Sequence, residues 1–154
     1  MEKIYIFDLD GTLADVTHRL HHIEKKPKNW AKFFDECHLD APIQWVIDLF
    51  QTISFTLTDY DHLIILSGRS EHTREKTESW LKEHGVDGYH ELIMRKAGDF
   101  RPDELIKPEL LQLFLDKHPK AEVGFIVDDR QRVVDMWREK GYNVLQCNAW
   151  KETT

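Results

Sequence analysis

The stretch IFDLDGTLAD, residues 6–15, sets two aspartates on either side of a leucine, directly after an apolar run and directly before a glycine. KIYIF at 3–7 reads as a short buried strand, so Asp8 and Asp10 stand at its carboxyl end, about 6–7 Å apart along the backbone. No basic residue neighbours them. Carboxylates placed this way repel each other and favour unfolding, unless a cation, a proton or a reaction that uses both charges compensates them. Gly11 supplies the backbone freedom for a turn at this point.

The same alternation continues along the chain. HLIIL (62–66), ELIMR (91–95), EVGFIV (122–127) and NVLQC (143–147) are further short apolar runs, the signature of strands buried on both faces. Between them the periodicity predicts four helices. One starts at Asp40, with Pro42 in its first turn and Ile43, Val46, Ile47 and Phe50 on one face. A second is capped by Ser70 and runs through Thr73, Thr77, Trp80 and Leu81 to a stop at Gly85. A third opens at Pro108, with Leu110, Leu111, Phe114 and Leu115 inward and Pro119 beyond its end. The last covers Arg130 to Lys140, showing Val133, Met136 and Trp137 before Gly141. This order predicts an α/β fold, a central parallel sheet with helices on both faces, in one domain spanning 1–154. Residues 13–41, with KKPK at 25–28 and WAKFF at 30–34, break the alternation and are expected to form a small, partly helical insertion over the sheet edge.

In such a sheet the ligand site lies outside the carboxyl ends of the strands. The residues that fall there are polar: Asp8 and Asp10, Ser67 and Arg69, Arg95, then Asp128 and Asp129. Four carboxylates in one crevice call for a hard cation, and Mg²⁺ suits a loose all-oxygen site. With the ion screening the repulsion, one carboxylate can attack an anionic electrophile. Its partner can protonate a leaving alkoxide and then deprotonate water. That division of labour serves phosphoryl transfer through an aspartyl-phosphate.

Composition narrows the setting. The 154 residues suffice for one domain with a real core; 41% are hydrophobic and 32% charged. No apolar run reaches the length of a membrane span, and the N-terminus does not read as a signal peptide. Cys37 and Cys147 form no CxxC pair, so a reducing, cytoplasmic compartment is expected. The net charge of −7 argues against a general electrostatic grip on nucleic acid. A polyanionic substrate would need a local group of arginines and lysines, and each predicted strand-end loop carries at least one.

DLDGT (8–12) resembles the DxDGT nucleophile motif of haloacid dehalogenase-type phosphotransferases, and SGR (67–69), Lys107 and Asp128–Asp129 follow in the order of that superfamily's motifs. RKAGDFRPDELIK (95–107) and VDDRQRVVDMWREKGYNV (127–144) are similar to the 3′-phosphatase domain of bacteriophage polynucleotide kinase-phosphatases. The resemblance implies that Asp8 is nucleophile and Mg²⁺ ligand. It makes Asp10 the general acid and base, with its backbone carbonyl offered to the metal. Ser67 would donate to the transferring phosphoryl group, Lys107 would neutralise its charge, and Asp103 would orient Lys107. Asp128 and Asp129 would complete the metal site. Arg19, Arg69, Arg95 and Arg130, with Thr12 and Gly68, would meet the substrate. The implied substrates are 3′-phosphorylated DNA or RNA ends, extending to 2′,3′-cyclic phosphates. No GxxxxGK[ST] loop is present, so a kinase domain is not expected. Region 13–61 matches poorly apart from Arg19.

Other readings compete. A small-molecule nucleotidase of the same superfamily is the nearest alternative, and a non-catalytic scaffold that binds nucleic-acid ends is a further one. His18, His21 and His22 have a spacing that could chelate zinc on a helix, or could mark a solvated face. Trp80 and Trp137 fall on inward helix faces, while Trp30 is the tryptophan placed to contact a substrate base. Trp45 belongs to the helix beside the insertion, and no role can be read for Trp150.

Overall fold

The computed structural model describes residues 2–150. Seven strands and six α-helices follow in order: β1 (Glu2–Phe7), β2 (Ala14–Asp15), α1 (His21–Glu24), α2 (Trp30–Asp35), β3 (Ala41–Pro42), α3 (Gln44–Thr56), β4 (His62–Ser70), α4 (Arg74–Glu83), β5 (Glu91–Arg95), α5 (Asp103–Lys117), β6 (Ala121–Arg130), α6 (Gln131–Glu139) and β7 (Val144–Trp150). The five long strands form one parallel sheet in the order β5-β4-β1-β6-β7, with β1 at its centre. This is the predicted architecture.

Strand periodicity divides the core in two. Phe7, Leu63, Ile65 and Val127 point to one face, where Val46, Ile47 and Phe50 of α3 and Trp80 and Leu81 of α4 cover them. Ile4, Ile6, Ile64, Leu66 and Ile126 point to the other, under Leu111 and Phe114 of α5 and Val133 and Trp137 of α6. Both sides of each inner strand are therefore dry, which is why those strands read as unbroken apolar runs. Trp80 and Trp137 are core residues, as expected.

Three helix starts differ by several residues from the sequence reading. The helix predicted from Asp40 begins at Gln44. Residues 41–42 instead pair antiparallel with Ala14–Asp15, and Asp40 turns inward as a buried ion-pair partner rather than a cap. The helix predicted to open at Pro108 begins five residues earlier, at Asp103. Leu105 and Ile106 N–H both bond the Pro102 carbonyl, so the first turn forms upstream and Pro108 sits inside the helix at the cost of one hydrogen bond. Ser70 makes no side-chain cap; a 3₁₀ turn at Glu71–Thr73 intervenes, and its hydroxyl meets His72.

Two irregularities matter for the site. Register slips between Ser67 and Ser70 on β4 push Gly68 and Arg69 out of the ladder. The 13–41 insertion, holding β2, α1 and α2 and closed by β3, lies between the first strand and the first long helix, as anticipated. Among the described residues, no helix is long and apolar enough to cross a membrane.

Candidate active site

Asp8 leaves the sheet where β1 ends, its N–H still bonded to Val127 on β6 at 2.9 Å. The chain then turns tightly, with the N–H groups of Thr12, Leu13 and Ala14 all meeting the Leu9 carbonyl. Gly11 makes the turn possible at φ +80°, and a Cβ there would lie 2.0 Å from Asp129 Oδ2. Glycine is thus required twice, by the backbone angle and by the neighbouring carboxylate.

This turn, with the end of β6, brings Asp8, Asp128 and Asp129 together. Each offers a carboxylate oxygen within 4.8 Å of the others, and all three are buried. Lys107 reaches in from α5, its Nζ 2.7 Å from Asp8 Oδ1 and 3.1 Å from Asp128 Oδ2. Thr12 Oγ donates to Asp8 Oδ2 at 3.0 Å. One ammonium does not balance three carboxylates. Burial and the adjacent Asp128 push Asp8 well above the ordinary carboxylate range, against the pull of Lys107. Burial and Asp128 likewise push Asp129 up to about 7. Burial alone would depress Lys107, but Asp128, Asp8 and Asp103 outweigh it and hold the amine charged.

Excess negative charge on buried hard oxygen donors is the electrostatic condition a divalent cation relieves. The three carboxylates fit Mg²⁺ on those grounds. Asp10 does not place its carboxylate in this cluster.

Asp10 faces a different environment. Arg69 Nε donates to its Oδ1 at 2.8 Å and Arg19 donates to the same atom at 3.0 Å. Burial would raise its pKa, yet Arg69 and Arg19 hold it at about 2. Two carboxylates two residues apart are therefore driven in opposite directions, Asp8 by burial beside its fellow carboxylates and Asp10 by its two arginines. Behind them stands Asp40, fully buried. It takes Arg19 Nε and Nη2 at 2.7 Å each, Arg69 at 2.9 Å and His18 Nε2 at 2.6 Å. Its backbone carbonyl accepts from Trp80 Nε1 at 2.8 Å. Asp40 carried no motif that could reveal this role; it read as the start of a helix.

The remaining candidates fall around the same edge. Asp103 opens α5 and packs so closely on Gly68 that a Cβ there would sit 2.4 Å from its Oδ1. It pairs with Arg95 and lies 3.6 Å from Arg130. Arg95 lines the cleft, but its guanidinium is engaged within the protein: Nε bonds the Gly68 carbonyl at 2.7 Å and Nη1 the Asp99 and Arg101 carbonyls. Arg19 and Arg69 are also fully buried and committed to Asp10 and Asp40. Ser67 is buried beside the site, its Oγ accepting from Arg69 N–H at 3.0 Å. Of the four predicted substrate arginines, Arg130 stands at the cleft with a partly exposed side chain.

A cleft of about 420 Å³ opens over these groups, with Asp8, Asp10, Lys107, Asp128 and Asp129 in its wall. The histidine trio does not converge on one point: His18 meets Asp40, while the His21 and His22 rings lie 3.9 Å apart and His22 meets Glu36 at 3.0 Å. Among the described residues, the aspartate cluster is the group with metal-ligand geometry. Cys37 is buried and Cys147 half-buried, and burial pushes the Cys147 thiol up to about 12, so neither is poised as a nucleophile.

The model of the family described as "Polynucleotide kinase PNKP phosphatase domain" matches residues 2–150. The "Putative bifunctional polynucleotide kinase/RNA ligase" of Autographa californica nuclear polyhedrosis virus is 28% identical over 138 residues, covering 89% of this chain and 18% of that protein. Among solved structures, a chain of the Pnkp1/Rnl/Hen1 complex superposes with a TM-score of 0.76 at 34% identity, over 97% of this chain and 47% of that one. L-2-haloacid dehalogenase from Xanthobacter autotrophicus shares the fold alone, with a TM-score of 0.61 at 14% identity over 95% of this chain and 77% of its own. The chain thus spans less than half the length of the polynucleotide kinase relatives it matches. From residue 2 to residue 150 it belongs to the PNKP phosphatase domain family, built on the haloacid dehalogenase fold.

Proposed function

We propose that this chain is a Mg²⁺-dependent phosphatase that removes terminal 3′-phosphates from DNA or RNA ends, through an aspartyl-phosphate, in nucleic-acid end repair. The observation that carries the reading is the convergence of Asp8, Asp128, Asp129 and Lys107 at the wall of one cleft, with Asp10 held beside them by Arg69 and Arg19. The match to the Pnkp1/Rnl/Hen1 RNA repair complex, at 34% identity and a TM-score of 0.74 over 95% of this chain and 42% of that one, supports the nucleic-acid setting.

Asp8, Asp128 and Asp129 would hold the ion, which when bound supplies charge neutralisation for the carboxylates and the incoming phosphate. Thr12 and Lys107 fix the two oxygens of Asp8, so the carboxylate is oriented before substrate arrives. An Asp8 oxygen attacks phosphorus, and the bond from phosphorus to the ribose 3′-oxygen breaks. Asp10 gives that oxygen its proton and then takes one from the water that hydrolyses the acyl phosphate. At rest Asp10 is ionised by its two arginines. The negative charge of the arriving phosphate offsets them and raises its proton affinity, so the acid form arises with substrate in place. Lys107 and the Ser67 hydroxyl meet the phosphoryl oxygens, and Asp103 holds the start of α5 from which Lys107 projects.

The test is a substrate panel with Mg²⁺: a 3′-phosphorylated oligonucleotide, the same strand with a 5′-phosphate, and free 3′- and 5′-mononucleotides. Release of phosphate from the 3′-phosphorylated strand is expected. Turnover of mononucleotides alone makes the protein a nucleotidase instead.

A further inference from the structure

The cleft is larger than a phosphoryl group requires, and its outer wall is aromatic. Trp30 and Phe34 of α2 stack with centroids 5.9 Å apart and planes 26° from parallel. Phe33 lies buried between that pair and the catalytic arginines: edge-on to Trp30 at 5.6 Å, with the Arg19 guanidinium 4.3 Å from its ring centre. The platform is thus anchored to the same arginine that engages Asp10. A third ring, Phe100, enters from the 96–102 loop and leaves 89% of its surface open to water, while Trp30 leaves 38%. Exposed rings from two separate segments around one cleft are costly unless a flat apolar surface covers them.

Charge specifies that surface further. Lys28 Nζ lies 5.7 Å from the Trp30 ring centre, and Arg130 and Arg132 line the same cleft, as does Arg101, whose guanidinium is paired with Asp99 and Glu109. Flat rings among cations, leading to a carboxylate and lysine floor, describe a ligand with a π-face and phosphates on either side of it. The volume of about 420 Å³ has room for one nucleotide-sized unit.

We propose that Trp30, backed by Phe34 and joined by Phe100, is the stacking platform for the unpaired base of the terminal nucleotide whose 3′-phosphate reaches Asp8. This rests on the 3′-phosphatase reading and extends it: a strand end must be single-stranded or frayed by at least one nucleotide to enter. The shelf belongs to the 13–41 insertion, so that segment sets which phosphates are accepted.

The test uses Asp8→Asn protein, which cannot turn substrate over, titrated with two labelled 3′-phosphorylated single strands that differ in one feature. One carries an ordinary terminal base and the other an abasic terminal nucleotide. The base-bearing strand should bind about tenfold tighter, as one stacked base allows. Adding Trp30→Ala should erase that preference, and Trp30→Phe should keep most of it, with a melt confirming that both variants fold. In protein with Asp8 intact, Trp30→Ala should lower kcat/KM about tenfold on the base-bearing strand and by much less on the abasic strand. Equal binding of both strands, binding of neither, or a base preference that survives Trp30→Ala overturns the platform. The phosphatase reading fails separately, if wild-type protein releases no phosphate from either strand. A platform covered by another protein would show as absent base preference, and so counts against the proposal.

Discussion

Arg69 meets Asp10 with Nη2 2.7 Å and Nε 2.8 Å from the same carboxylate oxygen, although 59 residues separate them in the chain. The contact exists because the bulge after Ser67 frees Arg69 from the β4 ladder and the Gly11 turn swings Asp10 off the end of β1. It divides the two motif aspartates into different electrostatic worlds. Asp8 stays with carboxylates and one lysine; Asp10 stays with two arginines and Asp40 behind them.

Asp8→Asn should lower turnover at least about a thousandfold while leaving the fold intact, because it deletes the attacking oxygen and relieves repulsion among three carboxylates. Steady-state rates together with a thermal melt check it. A melting temperature equal to or above wild type is expected in metal-free buffer.

Metal-free protein should lose stability as pH rises from about 4 to about 7. Asp8 and Asp129 have folded-state pKa values above their unfolded ones, so the folded chain binds more protons at low pH and is penalised as these groups ionise. For Asp129 the loss accrues between its ordinary value of about 4 and about pH 7. Mg²⁺ should flatten this slope by compensating the ionised form. Melting temperature against pH, with and without Mg²⁺, measures both, and chelation by EDTA should stop phosphate release.

Gly11→Ala should impair both stability and activity. The added methyl would lie 2.0 Å from Asp129 Oδ2 at a backbone angle of +80°, and strain of that kind costs about 1–3 kcal/mol. Urea unfolding reads the stability, and the Mg²⁺ concentration giving half-maximal rate should rise as Asp129 is displaced.

Asp40→Ala should destabilise the protein by about 3–5 kcal/mol, since it strips the shared partner from two fully buried arginines. The denaturant midpoint should fall accordingly. Arg19 and Arg69 would then share Asp10 as their carboxylate partner, with the Phe33 carbonyl and Thr77 Oγ1 as their neutral acceptors, so kcat should drop more than KM rises.

Arg95→Lys should loosen the start of α5. Arg95 joins the Gly68 carbonyl, the 99–101 loop and Asp103 through a planar fork that one ammonium cannot reproduce. The expected result is faster proteolysis within 96–102 and reduced kcat, as Lys107 loses its fixed approach.

The alternation of apolar runs with amphipathic segments sufficed to specify a parallel sheet with two covered faces, because burial on both sides leaves a periodicity that local pattern records. Asp8, Asp10, Asp128 and Asp129 were legible as candidates for a related reason: a strand end followed by a turn leaves a short motif in consecutive residues, whereas Lys107, inside α5, was a candidate only through the family resemblance. What sequence could not carry was partnership across the sheet edge. Asp40 looked like a helix start, yet the β2–β3 pairing turns it into the charge that holds Arg19 and Arg69. Those arginines, together with Arg95, were expected as substrate contacts from the family resemblance. The fold spends their donors internally, because a buried guanidinium must be paired wherever carboxylates and carbonyls are within reach. Side-chain direction at a bulge, and which aromatic rings meet over a cleft, depend on contacts tens of residues apart. Only packing of the whole chain decided them.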